Sequence, residues 1–283
     1  MKWSRFTWRR GTVPVWWKSD IKTVGGADIT IRATNPYEGC EGYVKSLISC
    51  YGQPLYILNL LRTDPERNEF QLSECYQQAI RTIKKATNID ATVINYDWHM
   101  NLKTLGNYQN IEGIWCTMKP PLERIGLSTG TFKPPKEGEP VGDVLDSSSV
   151  TIEKKQTGVV RTNCADSLDR TNIVIFFICY QVIAEMCNEL NLPILESIAQ
   201  IQQVKLSDST TPNGWRGFSI DYRTLNKKLE STELIQTLAE FFIYTGDVCS
   251  LLYTNSLAAH SGPMREHSFN TDEAPSNAYI VKK

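Results

Sequence analysis

The run Arg161-Thr-Asn-Cys164-Ala165-Asp166-Ser167-Leu168-Asp169-Arg170-Thr171-Asn172 lies between two apolar segments. Gly158-Val-Val before it has strand character. Ile173-Val-Ile-Phe-Phe-Ile-Cys-Tyr after it is almost continuously apolar, and from Gln181 the pattern becomes amphipathic. That predicts a helix whose first half is buried in the core. Strand, loop and buried helix in this order make a unit of an α/β fold, with the loop at the helix N-terminus.

The residue types in the loop point to phosphoryl chemistry. Cys164 and Arg170 stand six positions apart, and Thr171 follows the Arg. A loop of this length wraps an anion with inward-pointing amides. A Cys thiolate at its floor acts as nucleophile, and a guanidinium fork holds two phosphoryl oxygens. Ala165, Ser167, Leu168, Asp169 and Thr171 would line the anion. The helix dipole and Arg170 predict a Cys164 pKa lowered to roughly 3.5–7.5. The competing reading is a buried, inert cysteine. Asp166 is the first choice as general acid to the leaving oxygen, its pKa raised by the phosphate. Asp169 would turn outward to hold loop amides or Arg170. In the plainer alternative both Asp residues only shape the loop.

Spacing alone does not make such a loop. Cys75-Tyr-Gln-Gln-Ala-Ile-Arg81-Thr82 repeats it, within a stretch whose apolar residues (Leu72, Cys75, Tyr76, Ala79, Ile80, Ile83 and Ala86) recur at helical period. On a helix, Cys75 and Arg81 are about 9 Å apart in rise and on different faces. They cannot close on one phosphate.

The loop resembles that of the Sac-domain phosphoinositide phosphatases, Arg-Thr-Asn-Cys-x-Asp-Cys-Leu-Asp-Arg-Thr-Asn, at every fixed position except Ser167. Ser there resembles the long plant-type Sac proteins, and it removes the nearest partner for a loop disulfide with Cys164. Further segments follow in family order. They are Arg10-Gly-Thr-Val-Pro-Val with Trp17; Asn59-Leu-Leu with Glu69, Leu72 and Tyr76; Tyr96-Asp97-Trp98-His99; and Gly246-Asp247, Ser250 and Tyr253-Thr-Asn-Ser. The resemblance implies hydrolysis of a phosphate from phosphorylated phosphatidylinositol through a phosphocysteine. It implies a membrane-bound phosphoinositide lipid as partner, a recruiting protein of unknown identity, and no cofactor. In the family a separate subdomain precedes the Arg-Gly-Ser segment, and this chain starts almost on that segment. The expected organisation is a Sac-type catalytic domain over 1–261 without that subdomain, then a loose tail at 262–283. Two alternatives stand beside it: a catalytically weak binding or scaffold module, and a protein tyrosine or dual-specificity phosphatase. The latter usually carry His before the Cys and Gly inside the loop, whereas Asn163 and no Gly stand here.

The remaining sequence sets the frame. With 283 residues, 41% hydrophobic and 22% charged, the chain has ordinary globular composition. Lys plus Arg is 30 against 31 for Asp plus Glu, so no global charge favours nucleic acid. Eight cysteines without regular pairing suit a reducing compartment. No signal peptide is visible, and the Ile173–Tyr180 block is too short to span a bilayer. The expectation is a cytoplasmic protein that docks peripherally on the cytosolic face of membranes. Lys2, Arg5, Arg9, Arg10, Lys18 and Lys22 interleave with Trp3, Trp8, Trp16 and Trp17, which suits an anionic lipid surface or, equally, Trp packed in a core.

Strands are predicted at 28–33, 54–61 and 91–96, and helices at 41–51, 69–87, 193–204 and 231–252. A further helix at 108–118 should stop at Pro120-Pro121. Residues 128–155, rich in Gly, Pro and Ser, read as a long loop or insert. This alternation predicts a mixed or largely parallel sheet flanked by helices. Arg10 and Arg161 are candidates to hold further ring phosphates or to pair with Asp97 or Asp169. Asp97 is a candidate polar contact near the site, and His99 reads as structural. The Asp166-x-x-Asp169 pair has too few oxygen ligands for Mg2+, so no metal is expected.

Overall fold

The computed structural model describes residues 1–21, 27–133, 149–192, 215, 220–229 and 232–259. The expected helix at 193–204 and tail at 262–283 lie outside them.

Two strands in which every residue is buried, β5 (Leu55–Asn59) and β9 (Val159–Asn163), run side by side and parallel. β2 (Trp8–Gly11) and β6 (Ala91–Asn95) flank them, giving the order β2-β9-β5-β6 with every pairing parallel. β5 reads as a nearly unbroken apolar run, as strands buried on both faces do, whereas β9 buries Arg161, Thr162 and Asn163 as well. The alternation still decides where each side chain goes. Leu55 and Ile57 enter one core with α1 (Cys40–Tyr51) and α2 (Asn68–Ala86). Tyr56 and Leu58 enter the other with α3 (Trp98–Ile125), α4 (Asp169–Glu189), α5 (Tyr222–Leu229) and α6 (Glu233–Thr254). Each fully buried Leu or Ile in these cores contributes about 2 kcal/mol relative to exposure.

The connection after β5 thus leads to α2 on one face, and that after β9 to α4 on the other. The C-terminal ends of these neighbouring strands form a switch-point crevice of the kind that takes ligands in open α/β sheets. The other strands form two small antiparallel sheets. β1 (Lys2–Arg5) pairs with β7 (Ser128–Phe132), which pairs with β8 (Val150–Lys154). β3 (Trp17–Ile21) pairs with β4 (Ala27–Ile31).

Several expectations need correction. The stretch read as a loop at 128–155 begins and ends in paired strands, β7 and β8. In the Trp-rich N-terminal run neither of the two readings is overturned: Trp3, Trp8 and Trp17 lie on three short strands, Trp8 stacks at 5.9 Å on Phe242, and Trp16, between strands, is exposed. The helix expected to stop at Pro120-Pro121 runs through both to Ile125, broken earlier at Gly106, whose φ is 81°. Met118, Pro121, Leu122 and Ile125 are all buried there, and that packing offsets about 3 kcal/mol for each misplaced proline. The helix after the loop is longer than the apolar block suggested, 21 residues, long and apolar enough to cross a membrane by composition. The apolar window of that helix is 83% buried inside the fold, as in a core helix. Cys75 lies on α2 at the edge of a core and Arg81 is exposed, so the second Cys-x5-Arg match encloses nothing.

Candidate active site

Three asparagines close the sheet at its C-terminal edge. Asn59, Asn95 and Asn163 end β5, β6 and β9 in register. Asn163 Nδ2 donates to Asn59 Oδ1 at 2.7 Å, and Asn59 Nδ2 donates to Asn95 Oδ1 at 2.9 Å and to Ser73 Oγ on α2 at 2.8 Å. A satisfied buried polar ladder of this kind resists strand slippage better than apolar packing does. It holds Cys164 and Leu60 at fixed positions on the crevice rim.

The loop 164–168 leaves β9 and enters α4. Ser167 takes a left-handed backbone, φ 58°, which a non-glycine residue adopts at a modest energetic cost. No side chain caps the helix, so its first amides face the loop. Cys164 is fully buried. Its Sγ lies 3.1 Å from Asp166 Oδ1, accepts the Ser167 N–H at 3.2 Å and accepts from Thr171 Oγ1 at 3.1 Å. Asp166 Oδ1 also accepts the Leu168 N–H at 3.1 Å. The Asp166 carboxylate thus occupies the loop as an internal anion. Burial pushes the Cys164 thiol up to about 11; Arg170 and the Thr171 hydroxyl pull it down, and Asp166 pushes it further up. The expected depression of this pKa is therefore reversed, because the sulfur is sealed from water and an acid faces it.

Arg170 Nη2 donates to Glu69 Oε1 and Nη1 to Glu69 Oε2, each at 2.7 Å, and Nη1 also reaches the Leu60 carbonyl at 3.3 Å. The side chains are 12% and 19% exposed, so solvent screens the pair weakly. Burial opposes the Arg170 charge, but Cys164, Glu69 and Asp166 together raise its pKa. Burial likewise opposes the Glu69 charge, and Arg170 outweighs it, holding the carboxyl below the usual range. Sequence reasoning did not place Glu69 in the site; its position in the first turn of α2 carries no local chemical signature.

The other expected residues are placed differently. Arg10 does not face the crevice. Its Nη1 donates to Asn172 Oδ1 at 3.0 Å, and its Nη2 donates to the carbonyls of Leu168, at 3.1 Å, and Ser167. Arg161 shares the Val159 face of β9, so it points toward α1, where it donates to Tyr43 Oη at 2.9 Å and to the Thr12 carbonyl. Thr12 Oγ1 in turn donates to the Ala165 carbonyl at 2.5 Å. Among the described residues neither Arg pairs with an acid, unlike one of the two readings of the sequence. Arg10 pulls the Ser167 and Leu168 carbonyls outward, and Thr12, held by Arg161, does the same to the Ala165 carbonyl. In a trans peptide the next N–H then points the opposite way, toward the loop interior.

Asp97 caps α3. It accepts from Met100 N and Thr63 N, each at 2.9 Å, so its carboxylate is committed to structure. Asp169 turns outward, as one reading had it, but accepts from Ala259 N at 3.0 Å rather than from loop amides or Arg170. His99 stands one residue after the start of α3, and burial, then Arg170 and Arg62, lower its pKa to about 4. Among the described residues no group of three or more His, Cys, Asp or Glu is placed to hold a metal.

Residues 1–103 match the family model described as the SacI homology domain. Over that stretch the chain is similar to the Sac-domain family. It is 28% identical to human synaptojanin-1 over 193 residues, covering 67% of this chain and 11% of that protein. It is 27% identical over 206 residues to the Arabidopsis thaliana phosphoinositide phosphatase SAC2, covering 58% of this chain and 26% of the other. It is 25% identical over 215 residues to the Arabidopsis thaliana phosphatidylinositol-3-phosphatase SAC1, covering 58% and 24%. The chain thus spans between about a tenth and a quarter of these relatives.

Proposed function

We propose that this chain is a cysteine-dependent phosphoinositide phosphatase unit over 1–261. It would hydrolyse a phosphate from the inositol ring of phosphorylated phosphatidylinositol at the cytosolic face of a membrane, with a recruiting protein unspecified. The observation that carries the proposal is Cys164 Sγ at a switch-point crevice, within 3.2 Å of Thr171 Oγ1 and the Ser167 amide, with Arg170 entering the same crevice. The phosphoinositide phosphatases among the relatives support the substrate class.

The chemistry runs from the same contacts. An entering phosphate takes over the Leu168 amide now held by Asp166. The Cys164 S–H proton then passes along the 3.1 Å contact to Asp166, leaving a thiolate held by Thr171 and Arg170. The thiolate attacks phosphorus in line, the bond to the inositol oxygen breaks, and Asp166 returns the proton to that oxygen. Loop amides and Arg170 stabilise the charge on the transferring oxygens. Water then hydrolyses the phosphocysteine. The amides of Ala165, Ser167, Leu168, Asp169 and Thr171 form the cradle; Arg10 holds the Ser167 and Leu168 carbonyls, and Thr12, itself held by Arg161, holds that of Ala165.

The test is phosphate release from vesicles carrying mono- and bisphosphorylated phosphatidylinositols, with Cys164→Ser as control. Release by the wild type and loss in the variant support the proposal. A folded wild type that binds these vesicles without releasing phosphate favours a binding module, which the sealed sulfur and self-occupied loop also suit.

A further inference from the structure

Arg170 has five N–H donors, and among the described residues three of them find acceptors. One Nη1 hydrogen goes to Glu69 Oε2 and the other to Leu60 O, and one Nη2 hydrogen goes to Glu69 Oε1. The two donors left are Nε–H and the second Nη2–H. They lie on one edge of a planar group and form a fork. Glu69 sits in the first turn of α2, and Arg170 in the first turn of α4 on the opposite sheet face. The carboxylate is further fixed by the Arg62 N–H at 3.1 Å to Oε2. The guanidinium therefore cannot rotate about its own axis without losing three contacts at once.

We infer that Glu69 is a positioning residue: by occupying the end of the Arg170 guanidinium it presents the Nε/Nη2 edge to two oxygens of the reacting phosphoryl group. The inference rests on the phosphatase reading above. Glu69 touches neither substrate nor nucleophile and acts only through Arg170. Gln at 69 would offer one acceptor and turn an amide donor against Arg170, so the guanidinium would swing. Asp would keep the charge and fall short by one methylene, retaining part of the contact.

The experiment compares wild type, Glu69→Gln and Glu69→Asp for phosphate release from vesicles carrying phosphorylated phosphatidylinositol. Inhibition by inorganic phosphate and thermal unfolding are measured on the same preparations. Losing a well-aimed transition-state donor costs about 100-fold, so Glu69→Gln should lose about that in kcat/KM per folded molecule. Phosphate inhibition should weaken in parallel, and Glu69→Asp should recover to within about tenfold of wild type. Glu69→Gln within about threefold of wild type would overturn the inference, since that is too small for a misaimed donor. So would a Glu69→Gln protein that fails to fold beside a folded Glu69→Asp of full activity and unchanged phosphate inhibition, because Glu69 would then serve stability alone. A folded wild type that releases no phosphate defeats the phosphatase reading itself, and the positioning role with it.

Discussion

Asn163 Nδ2 donates to Asn59 Oδ1 at 2.7 Å across 104 residues of sequence, and both side chains are fully buried. The contact joins the last residues of the two central strands, each immediately before a residue of the crevice: Cys164 after β9 and Leu60 after β5. The backbone repeats the link, with Leu60 N donating to Asn163 O at 2.8 Å. Cys164 and the carbonyl that receives Arg170 are thus set against each other by strand register.

Replacing Asn59 with Leu should break this ladder at its centre. The Asn163 amide, the Asn95 oxygen and Ser73 would lose their partner inside the core. A loss of about 2–4 kcal/mol is expected from stranded buried polar groups, read by denaturant unfolding. Activity should fall beyond the loss of folded protein, because β9 can then shift against β5.

Arg10→Lys is expected to loosen the loop while leaving the core intact. One ammonium cannot reach Asn172 Oδ1 and the Ser167 and Leu168 carbonyls as the guanidinium does. Stability should drop by about 1–3 kcal/mol and phosphate release by about tenfold or more. Unchanged release would mean that the loop holds its shape without Arg10.

Gly11 lies where β2 passes Arg161, and a Cβ there would be 2.8 Å from Arg161 Nη2. Gly11→Ala should push the buried guanidinium off the Thr12 carbonyl and relax the Thr12–Ala165 contact. The expected penalty is about 1–3 kcal/mol, measured as a lowered unfolding midpoint.

Acid should weaken the fold in two steps. His99 has its pKa lowered, by burial first, from 6.5 to about 4, so the folded state favours the neutral ring. Its contribution is complete above 6.5 and is lost as pH falls toward 4. Glu69, held below the usual range by Arg170 against burial, contributes above its unfolded value of 4.5 and is lost below it. Melting temperature against pH should therefore slope between 6.5 and 4, and His99→Asn should flatten that part while leaving the steeper fall below 4.5.

What could be read from residues alone was local and periodic. The β–loop–α unit around Cys164, the amphipathic α2 that disqualifies Cys75, and the largely parallel sheet all follow from apolar spacing within about twenty residues. Even the direction of Arg161 was available in principle, since it alternates with Val160 along β9. Tertiary structure decided the rest. Glu69 meets Arg170 over 101 residues because β5 and β9 are neighbours whose following helices lie on opposite faces. Arg10 and Arg161 became supports of the loop because strand register aims them at carbonyls before any ligand arrives. α3 passes through two prolines because the buried side chains around them outweigh local preference. The Cys164 thiol is raised rather than lowered because burial, invisible in a twelve-residue motif, outweighs the nearby Arg170 charge. A motif carries the identity of the candidate reacting groups. Their protonation and aim depend on which distant segments seal and hold them.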